Sequence, residues 1–232
     1  PLQRSHSDGD AADLERPLIS TPSVVFIGSP TQDTVIRGGV TMEVTGGAAF
    51  ISALACRWAG ASTGIAARVP TVLPETAAAV FGEGGLHRAG LRCVEGELPG
   101  FTIKYDADDR ATYTQMRMGM EADLSAEDIP EHWMAAGCAW VHIAGIGASA
   151  AQQWSVLSAL RSRFPQWTGT ISVGTCRAMI EADLRHTLLL LEAADVFFLN
   201  AEEFGLLCPE GSPEDTTVVV THGPDGVDIW HG

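Results

Sequence analysis

The sequence is short of positive charge: 14 Lys and Arg stand against 29 Asp and Glu, a formal net charge of −15 over 232 residues. That balance repels nucleic acid and anionic membrane, local basic patches apart, so neither is expected as a partner. Paired cysteines are also missing. Cys56, Cys93, Cys138, Cys176 and Cys208 are odd in number, and no CxxC pair or Cys/His cluster of zinc spacing occurs. Free thiols in a reducing compartment are the expectation. The longest apolar runs, "TLLLLEAA" and "ADVFFL", are far too short to span a bilayer, and no signal-peptide pattern opens the chain. A cytoplasmic location follows as an expectation. No G-x-G-x-x-G joins a strand to a helix, which weighs against a dinucleotide-dependent dehydrogenase.

What is present is a chain with 46% hydrophobic residues, enough for a substantial core. Residues 1–22 are polar, carry Pro17 and Pro22 and show no sustained period, so they predict a mobile tail before one domain over 23–232. "SVVFIGSP" contains a continuous apolar run that ends in Gly28, the pattern of a strand buried on both faces of a parallel sheet. Helical and strand patterns then alternate. "GGAAFISALACRWAGA" reads as a helix, "STGIAARV" as a strand, and "PETAAAVFGEGGLHRAGL" as a helical stretch breaking at its glycines. "CAWVHIAGIG" and "GTISVG" read as strands, "TCRAMIEADLRHTLLLLEAA" as one helix, and "DVFFL", "NAEEFGLL" and "TTVVVT" continue the rhythm. This predicts an α/β fold with a doubly wound, mainly parallel sheet and helices on both faces. Two hairpins, near 33–45 and 99–118, interrupt the alternation and predict a small separate β lid.

Ligands of such sheets gather at the carboxyl ends of the strands. Asp33 lies just beyond the first strand, Asn200 to Glu203 follow "DVFFL", and "THGPDG" follows "VVV". Each has a plain structural role open to it. Asn200 with Glu203 three residues later makes a capping box, Asp33 suits a turn, and Gly46-Gly47 suits a tight turn. Pro-Asp-Gly is itself a turn signal, so a hairpin is expected there.

Taken in order, these residues resemble the ribokinase-like (PfkB) carbohydrate kinases. The resemblance rests on Gly28 and Asp33, "GGAAFISALA", the two hairpins, "NAEE" in the place of the family's Asn-x-x-Glu, and "VVVTHGPDG". It covers nearly everything from Val24 onward. It implies phosphoryl transfer from ATP, with Mg²⁺, to a hydroxyl of a sugar, an inositol-like polyol or a nucleoside. Asp33 would hold substrate hydroxyls, and Gly46 and Gly47 would let the substrate approach backbone amides. Asn200 would serve the nucleotide and Glu203 the metal, capping and organising together, while Thr221, Gly223 and Gly226 would shape the nucleotide pocket. Exposed hairpin edges invite pairing, so a homodimer through the lid is a further expectation.

Three departures accompany the match. The family's Gly-Ala-Gly-Asp motif, which carries the catalytic base, does not occur in the sequence, so the base is expected beyond Gly232. The position of a common substrate-binding Asn is occupied by Ile51, and "SVGTCR" lacks the acidic residue expected near Gly174. A noncatalytic ligand-binding or interaction protein that keeps the fold is the alternative.

Overall fold

The computed structural model describes residues 21–231 apart from 109, 210 and 212. Its larger sheet contains β1 (Val24–Ile27), β4 (Thr63–Pro70), β5 (Leu91–Val94), β8 (Trp140–Ile143), β9 (Thr170–Gly174), β10 (Val196–Asn200), β11 (Thr217–Thr221) and β12 (Val227–Trp230). They lie in the order β12-β11-β10-β9-β8-β1-β4-β5. Every pairing is parallel except β11 with β12, which forms the hairpin expected from Pro-Asp-Gly. The smaller sheet, β3-β2-β6-β7, is made from β2 (Thr31–Arg37), β3 (Val40–Gly46), β6 (Gly100–Tyr105) and β7 (Ala111–Arg117). The two expected hairpins thus meet through the parallel pair β2 and β6.

Alternation along the strands assigns the layers. Val25, Ile27, Val141, Ile143, Ile171, Val173, Phe197, Leu199, Val218 and Val220 point to one side of the sheet and are almost wholly buried. Helices α3 (Glu131–Ala135), α4 (Ala150–Arg163), α5 (Arg177–Ala182), α6 (Leu184–Ala193) and α7 (Ala201–Leu207) contribute Trp133, Leu157, Leu160, Ile180, Leu190 and Leu207 to that core. On the other side, α1 (Ala48–Trp58) and α2 (Glu75–Glu83) bring Phe50, Ala53, Leu54 and Phe81 against Phe26, Ile65, Ala67 and Val69. The doubly wound arrangement with a small extra sheet is therefore the architecture observed.

Two local expectations change. The stretch predicted as one helix from Thr175 is two, broken at Asp183, whose backbone is extended (φ −152°). Its carboxylate accepts the His186 N–H at 3.1 Å and so begins α6 as an N-cap. The stretch from Pro74 does break at its glycines, α2 ending at Glu83, but Leu91, read as its tail, opens the edge strand Leu91–Val94 beside β4. Residues 1–20 of the expected tail lie outside the described residues; Pro22 is buried. Among the described residues, no helix is long and apolar enough to cross a membrane.

Candidate functional site

Asp33 enters from β2 and faces β6. Its Oδ1 accepts the Phe101 N–H at 3.0 Å and its Oδ2 accepts the Thr31 hydroxyl at 2.8 Å. The residue is 6% exposed, and burial pushes its carboxyl above the ordinary range, although both hydrogen bonds pull the other way. Gly46 and Gly47 pack against it. A Cβ on Gly46 would lie 2.5 Å from Asp33 Oδ2, and one on Gly47, where φ is +102°, would lie 2.7 Å from the Ser29 carbonyl. These glycines are thus required by the close approach of β3 to the β1–β2 crossing.

The "NAEE" turn begins α7 with the capping box expected. Asn200 Oδ1 accepts the Glu203 N–H at 2.9 Å, and Glu203 Oε2 accepts the Asn200 N–H at 2.8 Å. Glu203 does more than a cap needs, because its Oε1 accepts the Arg177 N–H at 3.0 Å from the start of α5. With 6% exposure, this carboxylate ties the ends of β9 and β10 together. Arg177 also brings a cation to the rim, its guanidinium reaching Glu181 at 2.7 Å and Glu202 at 3.7 Å.

Asp33 lies on the smaller sheet, which the chain enters from the carboxyl end of β1, and the Asn200–Glu203 turn follows the carboxyl end of β10 in the same parallel array. Tyr113, on β7, has its phenol pushed upward by desolvation and then by Tyr105, Asp33 and Cys176. Cys176, which precedes α5, is pushed upward by desolvation and also by Glu203.

A groove of about 650 Å³ runs from the carboxyl end of β10 along the sheet. Asn200, Glu203, Thr221, Gly174 and Thr175 line it near the strand ends, and Phe26, Trp140, His142, Ser172 and Phe198 line it further down. Trp140 Nε1–H donates to Ser172 Oγ at 2.7 Å, and the same hydroxyl shares a hydrogen bond with His142 Nδ1 at 2.8 Å. Burial holds the pKa of His142 down at about 4, so the ring is neutral near pH 7. Gly223 and Gly226 stand apart from the groove lining. They occupy the β11–β12 turn at φ +59° and +105°, with open space where a Cβ would be.

Sequence patterns had not singled out Arg177, Thr175 or His142. Arg177 and Thr175 follow a strand end without a recognisable motif, and His142 is hidden within an apolar strand.

No family model matches the sequence, and no curated protein matches it. Solved structures do. A Burkholderia thailandensis nucleoside kinase in complex with inosine is 14% identical, with a TM-score of 0.74 over 90% of this chain and 73% of that one. A PfkB protein from Polaromonas sp. JS666 is 18% identical, with a TM-score of 0.72 over 90% of this chain and 80% of that one. A nucleoside kinase from Methanocaldococcus jannaschii, a member of the ribokinase family, is 15% identical, with a TM-score of 0.69 over 91% and 74%. The fold is ribokinase-like. Within this ribokinase-like fold, the larger sheet positions the Asn200–Glu203 turn and Thr221, and the smaller sheet positions Asp33.

Among the described residues, no group of three or more His, Cys, Asp and Glu could cage a metal ion. The donors at the rim fit a different mode. Each Glu203 oxygen takes one backbone N–H and retains a further lone pair, so the carboxylate suits water-mediated contact with a hydrated Mg²⁺. Thr175 Oγ1, buried beside the groove, has no hydrogen-bond partner and is free to serve a ligand oxygen.

Proposed function

We propose that this protein is an ATP-dependent kinase that phosphorylates a hydroxyl of a sugar, polyol or nucleoside. The observation that carries the reading is topological: on a ribokinase-like fold Asp33 follows the carboxyl end of β1, the Asn200–Glu203 turn follows the carboxyl end of β10 in the same parallel array, and a groove is lined by Asn200, Glu203 and Thr221. The solved nucleoside kinases that share this fold support it.

In this reading Asp33 orients the acceptor. Its carboxylate is already fixed by Thr31 and Phe101, so little conformational entropy is lost when a substrate hydroxyl adds a further hydrogen bond. Gly46 leaves the Asp33 carboxylate the volume that a Cβ would take, and Gly47 lets the backbone turn beside it. Asn200, Thr175 and Thr221 offer polar groups to the nucleotide, with Arg177 as a nearby cation, and Glu203 holds metal-bound water. Gly223 and Gly226 act only by shaping the turn above the pocket. Mg²⁺ neutralises phosphate charge when bound; positioning and charge neutralisation are the main demands of phosphoryl transfer. No residue described here is assigned the role of base.

The small sheet serves as a lid. Its strands place Val35, Met42, Val44, Phe101, Ile103 and Tyr113 on the face that bears Asp33, while Gln32, Thr34, Glu43, Thr102 and Lys104 occupy the reverse. Val40, Met42, Tyr113 and Met116 remain 46–64% exposed on that apolar face. This surface excludes water from the acceptor site and supports lid-to-lid pairing in a homodimer.

The test is transfer of labelled γ-phosphate from ATP with Mg²⁺ across a panel of nucleosides, sugars and inositols by the full-length protein, in which the base is expected beyond Gly232. Transfer to one class is expected; a folded protein that neither phosphorylates nor binds any of them overturns the reading.

A further inference from the structure

Glu121 lies in the 3-10 turn Gly119–Asp123, which receives the chain from lid strand β7. It is 7% exposed, and its two oxygens serve different segments. Oε1 accepts the Ser29 N–H at 2.7 Å, and Oε2 accepts the Gly147 N–H at 3.0 Å. Ser29 belongs to the crossing from β1 to β2, four residues before Asp33. Gly147, at φ +56°, belongs to the turn between β8 and α4. The Glu121 segment is itself fastened from outside: Gln152 Nε2, in the first turn of α4, shares its two N–H protons among the carbonyls of Glu121, Ala122 and Leu124 at 2.8, 3.0 and 3.1 Å.

Two N–H groups facing two oxygens demand a side chain that only accepts. An amide would turn an NH₂ toward one of the donors and leave that amide N–H unpaired in a buried place. The segments so joined are the way into the lid at β2, the way out of it at β7, and the rim of the larger sheet at β8.

We propose that Glu121 is a positioning residue: by clamping the β1–β2 crossing and the foot of β7 to the β8–α4 turn, it seats the lid and sets where Asp33 stands relative to the Asn200–Glu203 turn. The part concerning Asp33 rests on the kinase reading above; the clamp does not.

The experiment is amide hydrogen exchange of the ligand-free protein, Glu121→Gln against the parent, followed by calorimetric titration of each with inosine, ribose and myo-inositol in turn as acceptor and with Mg²⁺–ADP. Exchange in residues 29–33 and at Gly147 should accelerate about tenfold or more in the variant, while amides of β8 to β10 change by less than about twofold. Acceptor affinity should fall about tenfold with nucleotide affinity nearly unchanged, a split that general destabilisation does not produce. Unchanged exchange at both segments, or equal acceleration throughout the sheet, overturns the proposal. Should Glu121→Gln fail to fold, Glu121→Asp, too short to reach both donors, must give the same local pattern, and its absence there is equally decisive. If the clamp responds as expected but the parent binds no acceptor, the kinase reading fails while the clamp stands.

Discussion

Gly46 and Asp33 compete for one volume: a Cβ on Gly46 would stand 2.5 Å from Asp33 Oδ2 and 3.0 Å from Thr31 Oγ1. Gly46→Ala should therefore displace the carboxylate that Thr31 holds. Overpacking of this kind costs about 1–3 kcal/mol, which a denaturant midpoint will register. Acceptor affinity should fall with it. If the variant keeps full stability and acceptor affinity, the carboxylate has room that the packing denies.

Glu203 separates capping from metal organisation. Asn200→Ala should cost about 1 kcal/mol through loss of the cap alone. Glu203→Gln should cost about 1–3 kcal/mol, because an amide cannot accept from both Arg177 N–H and Asn200 N–H. The Mg²⁺ concentration needed for nucleotide binding should rise in Glu203→Gln, whereas Asn200→Ala, which loses a polar group facing the nucleotide, should weaken nucleotide binding by the same factor at every Mg²⁺ concentration. Equal Mg²⁺ dependence in both reduces Glu203 to a cap.

His142 confers a pH dependence whose sign follows from its depressed pKa. The ordinary value is 6.5 and the folded value about 4, so below pH 6.5 the unfolded chain takes up a proton that the folded chain refuses. Stability from this group is complete above pH 6.5 and is lost as the pH falls toward 4. The loss is at most about 3 kcal/mol, and smaller in so far as the ring edge opens to the groove. His142→Gln, which keeps a hydrogen-bonding group without a titrating one, should flatten that part of the stability profile. Parallel profiles for the two proteins between pH 6.5 and 4 would contradict it.

Much of this organisation is legible in residue order. Alternating apolar runs such as Val24–Ile27 and Val196–Leu199 announce buried parallel strands, and Asn200 with Glu203 announces a cap that forms as expected. The break at Asp183 is harder to see because the apolar residues on both sides share a helical period; the carboxylate decides by capping His186. Leu91–Val94 is a strand only because β4 lies beside it, a tertiary effect with no local signal. Glu121 is likewise silent in sequence. Its partners are 92 and 26 residues away, and both are backbone amides. Ser172 and His142 meet only through strand register.

The most direct measurement is calorimetric titration of acceptor and Mg²⁺–nucleotide into the parent, Asp33→Ala and Glu203→Gln proteins. If one rim carries both halves of the site, the parent binds both ligands, Asp33→Ala loses the acceptor while keeping the nucleotide, and Glu203→Gln weakens the Mg²⁺–nucleotide while keeping the acceptor. Binding of both ligands that is indifferent to either substitution, with all three proteins folded, would contradict the account.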